Sequence, residues 1–318
     1  MDEFDLIARL LRPLAAGSPE ALGLMDDAAV LPSRSGFDLV VTKDALVEGV
    51  HFLADDAADL VARKLLRVNL SDLAAKGAEP YGYLLACAWP NARSDAWKAA
   101  FVTGLALDQA TFGLKLFGGD TVSAPGPAMF SATMMGWVAA GRMVRRSGAR
   151  AGDLVLVSGV IGDGTLGLEA ARGGLTDLPG SLKAALAARY RLPQPRGDLA
   201  AALLAHASAA ADVSDGLLAD AGHIGEASSL GVDIALDRLP LSEAAQAWIA
   251  MQPDRTAALL RLAAGGDDYE VVCTASPEAA SHLGDAVTGI GQVVEGQGVR
   301  ATCNGEPVTL DRLGWRHP

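Results

Sequence analysis

Residues 154–167 read LVLVSGVIGDGTLG, and the fold class turns on how this stretch is understood. An apolar, strand-like run ends in Gly162-Asp163-Gly164-Thr165-Leu166-Gly167, which matches the G-x-G-x-x-G turn that opens a helix in dinucleotide-binding βαβ units. Such a unit also needs a second parallel strand ending in an acid about 20 residues further on. Here residues 173–190, GGLTDLPGSLKAALAARY, read as loop and helix instead. The glycine turn is therefore expected either to pack a helix tightly onto a sheet or to line a phosphate site.

Just upstream, residues 145–153 (RRSGARAGD) are charged, contain glycine and lack large apolar groups. That composition marks a boundary between a domain over 1–144 and a second over 145–318. In the first half, periodicity predicts helices over 4–14, 57–75 and 94–112, and strands over 38–42, 46–52, 81–89, 114–118 and 129–139. In the second, it predicts strands over 154–159, 232–236, 269–274, 287–291 and 297–302. Helices are predicted there over 165–173, 181–190, 197–207, 216–229, 241–250 and 256–264. This mixture indicates an α/β or α+β chain.

Composition narrows the function. Half of the 318 residues are hydrophobic and 20% are charged, which suits a packed globular protein and not a disordered one. The apolar runs break well short of a membrane span, and the acidic start MDEFD lacks the basic flank of a signal peptide. Cys87, Cys273 and Cys303 are widely spaced, as expected of core thiols in a reducing compartment, so the cytoplasm is the expected location. The net charge of −12 argues against nucleic acid or anionic lipid as partners. An acidic protein can still bind phosphates when divalent cations stand between them and its carboxylates.

The aspartates cluster in a way that fits this idea. Asp26-Asp27 (LMDDAAV), Asp44 (VVTKD), Asp72 (VNLSD), Asp120 (LFGGD), Asp212 and Asp215 (ADVSDG) and Asp267-Asp268 (GGDDYE) each follow a regular stretch and sit among small residues. They are expected at turns. Short carboxylates there can hold magnesium, while Gly, Ser and Ala leave room for phosphate. Asp also caps helices and turns, so Asp72 can cap a turn and Asp215-Gly216 can open the next helix. No Gly-Lys dipeptide of a P-loop, no His-Arg-Asp or Asp-Phe-Gly set, no Gly-x-Ser-x-Gly elbow and no zinc spacing among the five histidines is present.

Read together, MDDAAV (25–30), DALVEGVHF (44–52), VNLSDLAAKGAEP (68–80), FGGDTV (117–122), RRSGARAGD (145–153), DVSDGLLADAGHI (212–224) and GGDDYE (265–270) resemble the thiamine-monophosphate kinase family. That family belongs to the superfamily of aminoimidazole ribonucleotide synthetase, selenophosphate synthetase and the hydrogenase-maturation dehydratase. The resemblance implies a two-domain fold of the synthetase type, with an N-terminal sheet that forms a barrel in a homodimer and a C-terminal α/β domain that completes the active site. It implies ATP and several magnesium ions, held by Asp27, Thr42, Lys43, Asp44, Asp72, Asp120, Asp212 and Asp215. Gly119, Asp120, Arg146 and Ser214 fall where the family contacts ATP, and His51, Asp267 and Trp315 where it contacts thiamine monophosphate. Read for themselves, Arg146 can fork across phosphate oxygens or solvate a linker, Trp315 can stack on a cationic ring or pack, and His51 can bond substrate or sit satisfied in the core.

Three residues depart from the family pattern: Met25 for Gly, Lys43 for a hydroxyl residue and Asp267 for Glu. The implied chemistry is direct in-line transfer of the γ-phosphoryl group to the substrate phosphate, with no protein nucleophile. Selenide chemistry would want an N-terminal reactive Cys and the maturation enzyme a C-terminal one; the first Cys here is Cys87 and the chain closes Trp315-Arg316-His317-Pro318. A nucleotide-binding regulatory protein that has lost catalysis is the alternative from another class, and ATP consumption with thiamine monophosphate separates it from the kinase.

Overall fold

The computed structural model describes residues 3–316, so Met1-Asp2 of the acidic start and the final His317-Pro318 lie outside the described residues. Backbone contacts divide the chain into two units, Met1–Leu73 with Ala78–Arg142, and Ala74–Gly77 with Met143–Pro318.

The first unit begins with α1 (Glu3–Leu6), a π-turn (Ile7–Leu11) and α2 (Arg12–Leu14), then a short 3-10 stretch (Pro19–Leu24). Next come β1 (Phe37–Val47), α3 (Ala58–Ala75), β2 (Glu79–Pro90), α4 (Asp95–Phe112), β3 (Lys115–Ala124) and β4 (Met129–Ala139). The strands form one sheet in the order β1-β4-β2-β3, antiparallel except for β2 with β3. Ser94 starts α4 by accepting the Trp97 N–H at 3.2 Å, and Gly113 ends it at φ 66°. The core packs Trp89, Phe101 and Phe130 edge to face or tilted, with centroids 4.3–5.3 Å apart. Asp108, fully buried on α4, takes Arg67 Nε at 2.7 Å and Arg63 Nε at 3.0 Å from α3.

Two expectations are corrected here. In place of separate strands over 38–42 and 46–52, one strand runs from Phe37 to Val47, paired with β4 without a break from Phe37↔Ala139 to Val47↔Met129, and residues 48–52 leave it. It ends in a turn closed by His51 N–H to Val47 O at 2.9 Å. The turn expected at Gly118-Gly119 is also absent, since β3 runs through both. Glycine serves there to let strands approach: a Cβ on Gly119 would lie 1.8 Å from Leu85 O.

The second unit contains β5 (Leu154–Ser158), α5 (Asp163–Ala171), α6 (Gly180–Arg191), α7 (Ala200–His206), β6 (Ala209–Val213), α8 (Leu217–Ser228) and β7 (Gly231–Ala235). It continues with α9 (Glu243–Ala250), α10 (Arg255–Ala263), β8 (Glu270–Ala275), α11 (Pro277–Ser281), β9 (Val287–Val294), β10 (Gly298–Cys303) and β11 (Glu306–Val308). The sheet order is β11-β10-β7-β9-β5-β8-β6. β5, which feeds the glycine turn, pairs antiparallel with both neighbours, so the dinucleotide topology is excluded. β6 escaped the sequence reading because Ala209-Ala210-Ala211 favours helix. All five of its residues are buried and it pairs with β8, so tertiary context overrides propensity.

Candidate functional site

In the first unit, β1 and α3 build one group of polar residues. Thr42 Oγ1 donates to Asp72 Oδ2, and the Asp44 N–H donates to Asn69 Oδ1 at 3.1 Å. Asn69 is fixed in turn by its own bond to Leu65 O at 2.9 Å. Residues 65, 69 and 72 recur at helical spacing, so one face of α3 meets β1. Asp72 thus lies inside the helix and caps no turn. Lys43 alternates to the opposite face of β1 from Thr42 and Asp44, opposite Thr133 on β4. Beyond the strand, His51 Nδ1 accepts the Val47 N–H at 3.1 Å, and His51 O accepts from the buried Lys64 Nζ at 2.9 Å. With Nδ1 an acceptor, the neutral imidazole carries its proton on Nε2.

A second group lies at the other edge of the same sheet. Asp26 and Asp27 form an exposed bend, with the Asp27 N–H on Asp26 Oδ1 at 2.8 Å. They share a cavity of about 240 Å³ with Gly119, Asp120, Leu85 and Phe117. Asp120 lies within β3, and its Oδ1 accepts the Thr121 N–H at 2.9 Å. Met25 points outward, 74% exposed, where Arg12 Nη2 meets its Sδ. The register runs Asp44↔Ala132, Ala132↔Leu85 and Leu85↔Gly119. Asp44 and Gly119 are thus three strand spacings apart, roughly 14 Å. Within the unit the aspartates form two groups, one on each edge of the sheet.

In the second unit the end of β6 carries Asp212, 4% exposed, and leads into the Ser214–Gly216 turn before α8. That turn is held from inside the helix. Asp220 Oδ2 accepts the N–H groups of Ser214, Asp215 and Gly216 at 3.1, 3.2 and 3.1 Å. The helix opens at Leu217 directly after Asp215-Gly216, with Gly216 as the N-cap and no side-chain cap. Two other segments fasten to the turn, Asp267 N–H to Ser214 O at 2.9 Å and Trp315 N–H to Asp215 O at 2.7 Å. Ser214, Asp215, Asp267 and Trp315 are thereby neighbours. Arg146 is near enough for its charge to favour ionised Asp220. A cavity of about 720 Å³ opens beside the turn, lined among others by Asp215, Gly222, His223, Val299 and Trp315.

Of the donors here, the two carboxylates are the ones that suit a hard divalent ion, while the imidazole is the softer member. Carboxylate oxygens of Asp215 and Asp220 and a nitrogen of His223 lie within 4.8 Å of one another, and the buried Asp220 Oδ1 has no hydrogen-bond partner. Asp220 and His223 were missing from the sequence reading of the site, although both stand in the quoted DVSDGLLADAGHI. Their signal was an acid and a histidine three apart on one helix face.

The glycine turn holds a side chain of this chain. The Gly162 and Gly164 N–H groups each donate to the Asp268 carboxylate at 2.8 Å. Arg189 and Arg196 pair with the fully buried Glu270 at 2.8 and 2.5 Å. Burial pushes Asp268 up to about 8, against the pull of the two glycine N–H groups and Arg189. A folded chain that keeps a proton which the unfolded chain releases loses stability as pH rises between these two values, here from about 4 to about 8. Melting curves at pH 5 and pH 8.5 are therefore expected to differ less in Asp268→Asn than in the unaltered chain. An unchanged difference would show that Asp268 stays ionised.

The family models for AIR synthase related protein match in two parts, the N-terminal domain over residues 25–138 and the C-terminal domain over 150–304. Thiamine-monophosphate kinase of Caulobacter vibrioides is 56% identical over 99% of this chain and 90% of its own length. The crystal structure of thiamine-monophosphate kinase from Stenotrophomonas maltophilia superposes with a TM-score of 0.82 at 38% identity, over 97% of this chain and 98% of that one. A structure of AaThiL complexed with AMPPCP and TMP superposes with a TM-score of 0.79 at 29% identity, over 98% of this chain and 95% of that one. The architecture is the two-domain, mixed α/β fold of the AIR synthase type, with one sheet in each domain.

Proposed function

The chain belongs to the thiamine-monophosphate kinase family, and from that premise we propose that it transfers the γ-phosphoryl group of ATP to thiamine monophosphate, giving thiamine diphosphate and ADP. The observation that carries this for the chain's own residues is the Ser214–Gly216 turn. By main-chain bonds it gathers the residues read as nucleotide contact (Ser214), cation ligand (Asp215) and substrate contacts (Asp267, Trp315).

Magnesium is the fitting cation. In the first unit Asp27, Thr42, Asp44, Asp72 and Asp120 would hold such ions, and in the second Asp212 and Asp215 would; the bound cations would supply the positive charge that a polyphosphate and its transition state need. Lys43 can contribute only its carbonyl, since an ammonium has no lone pair. Arg146 and Ser214 bind phosphate oxygens as donors, and Gly119 leaves its main chain open to them. His51 offers Nε2–H to the substrate, Asp267 accepts from its N–H groups or faces its cationic ring, and Trp315 stacks on a ring. The substrate phosphate is itself an anionic nucleophile, so no side chain needs to take its proton or form a covalent intermediate.

We also propose a homodimer that works in the cytoplasm. The register puts Leu39, Val41, Leu84, Val122 and Met129, all at least 36% exposed, on one open face of the first unit's sheet. An apolar face of this kind is costly in water. Packed against its copy so that the two sheets close a barrel, this face would be covered. No described helix is long and apolar enough to cross a membrane.

The test is ADP release with thiamine monophosphate or thiamine as acceptor, with and without magnesium. Release is expected only with the phosphorylated acceptor and the metal together. ADP formed equally well with thiamine would overturn the acceptor assignment.

A further inference from the structure

The loop from Gly265 to Glu270 carries more constraint than a connection between α10 and β8 requires. Asp267 and Tyr269 both take positive φ, 69° and 51°, left-handed backbone that residues with a side chain rarely adopt. The loop is held in that state from several sides. Asp267 N–H reaches Ser214 O at 2.9 Å and Tyr269 N–H reaches Val213 O at 2.8 Å. Between them, Asp268 takes the two glycine N–H groups, and its carbonyl accepts from Arg189 Nη2 at 2.7 Å. Gly164 lets the loop approach, since a Cβ there would lie 2.4 Å from the Asp267 carbonyl carbon.

The two left-handed residues let side chains two positions apart meet. Tyr269 Oη donates to Asp267 Oδ1 at 3.1 Å, and Tyr269 is itself only 9% exposed, so packing fixes its ring. We infer that Tyr269 is a positioning residue for substrate recognition: its phenol holds the Asp267 carboxylate in one rotamer, ready for the cationic, amine-bearing rings of the acceptor. The inference rests on the reading of Asp267 as a substrate contact. It accounts for the shorter acid at this position. A carboxylate one methylene shorter has fewer rotamers, and one already tied to a buried phenol loses less freedom when substrate arrives. Such pre-organisation acts on binding of the acceptor and leaves ATP binding and the transfer step alone.

The experiment is steady-state kinetics on the full chain, comparing the unaltered protein with Tyr269→Phe, Asp267→Asn and the double variant. Removing one hydroxyl is expected to raise KM for thiamine monophosphate roughly three- to tenfold, the worth of one hydrogen bond. KM for ATP, kcat and the melting temperature should stay put, and Tyr269→Phe should add nothing in the Asp267→Asn background. If Asp267→Asn raises that KM and Tyr269→Phe does not, the positioning role is wrong. Equal rises for both substrates with a lower melting temperature would show a merely structural tyrosine and also overturn it. An unchanged KM in Asp267→Asn would instead remove Asp267 from the substrate site, and the inference would fall with that reading.

Discussion

Replacing Asp72 by Asn is expected to lower turnover roughly a hundred- to a thousandfold, the scale seen when one electrostatic partner of a transition state is removed. The fold should survive. Asn keeps the shape and an acceptor for the Thr42 hydroxyl, so the link between β1 and α3 remains. The negative charge is what disappears, and with it the ability to hold a divalent cation against ATP. The checks are kcat at saturating ATP, thiamine monophosphate and magnesium, and a thermal melt. A variant with at least half the original kcat would remove Asp72 from the cation-binding set.

The second large effect concerns Asp220. Replacing it by Ala leaves the N–H groups of Ser214, Asp215 and Gly216 without their acceptor, next to a helix start that has no other side-chain cap. The loss is expected to cost about 3–5 kcal/mol, a fall of roughly 10 °C for a unit of this size. Activity should fall further than stability, because the turn also anchors Asp267 and Trp315. Asn at this position keeps a side-chain oxygen that can accept the three N–H groups and loses only the charge. Asp220→Asn should therefore recover most of the stability. Melting curves of both variants decide it, and an Asp220→Ala chain as stable as the original would mean that water replaces the carboxylate.

The elements that the sequence made legible are those whose apolar spacing is undisturbed. The helix expected over 57–75 is found at Ala58–Ala75, and the strand over 129–139 has the same bounds in the structure. Errors arose where a residue's local preference ran against its partners. Asp44 looked like a turn residue, but Asn69 and β4 keep it in a strand. Gly118-Gly119 looked like a break, but Leu85 needs the space. The candidate site follows the same rule. Acids beside small residues were visible as members of motifs. Their supports were not, since Asp220, Asp268 and Asn69 act through main-chain N–H groups whose positions no local pattern reports. The split of the first unit's acids between two sheet edges depends on strand order, and one chain's periodicity does not encode that order.

The central claim is that carboxylates receive the polyphosphate only through divalent cations. Calorimetric titration of the protein with a non-hydrolysable ATP analogue, once with magnesium and once with chelator, tests it most directly. Binding is predicted with magnesium and none with chelator. Equal affinity in both would contradict the account.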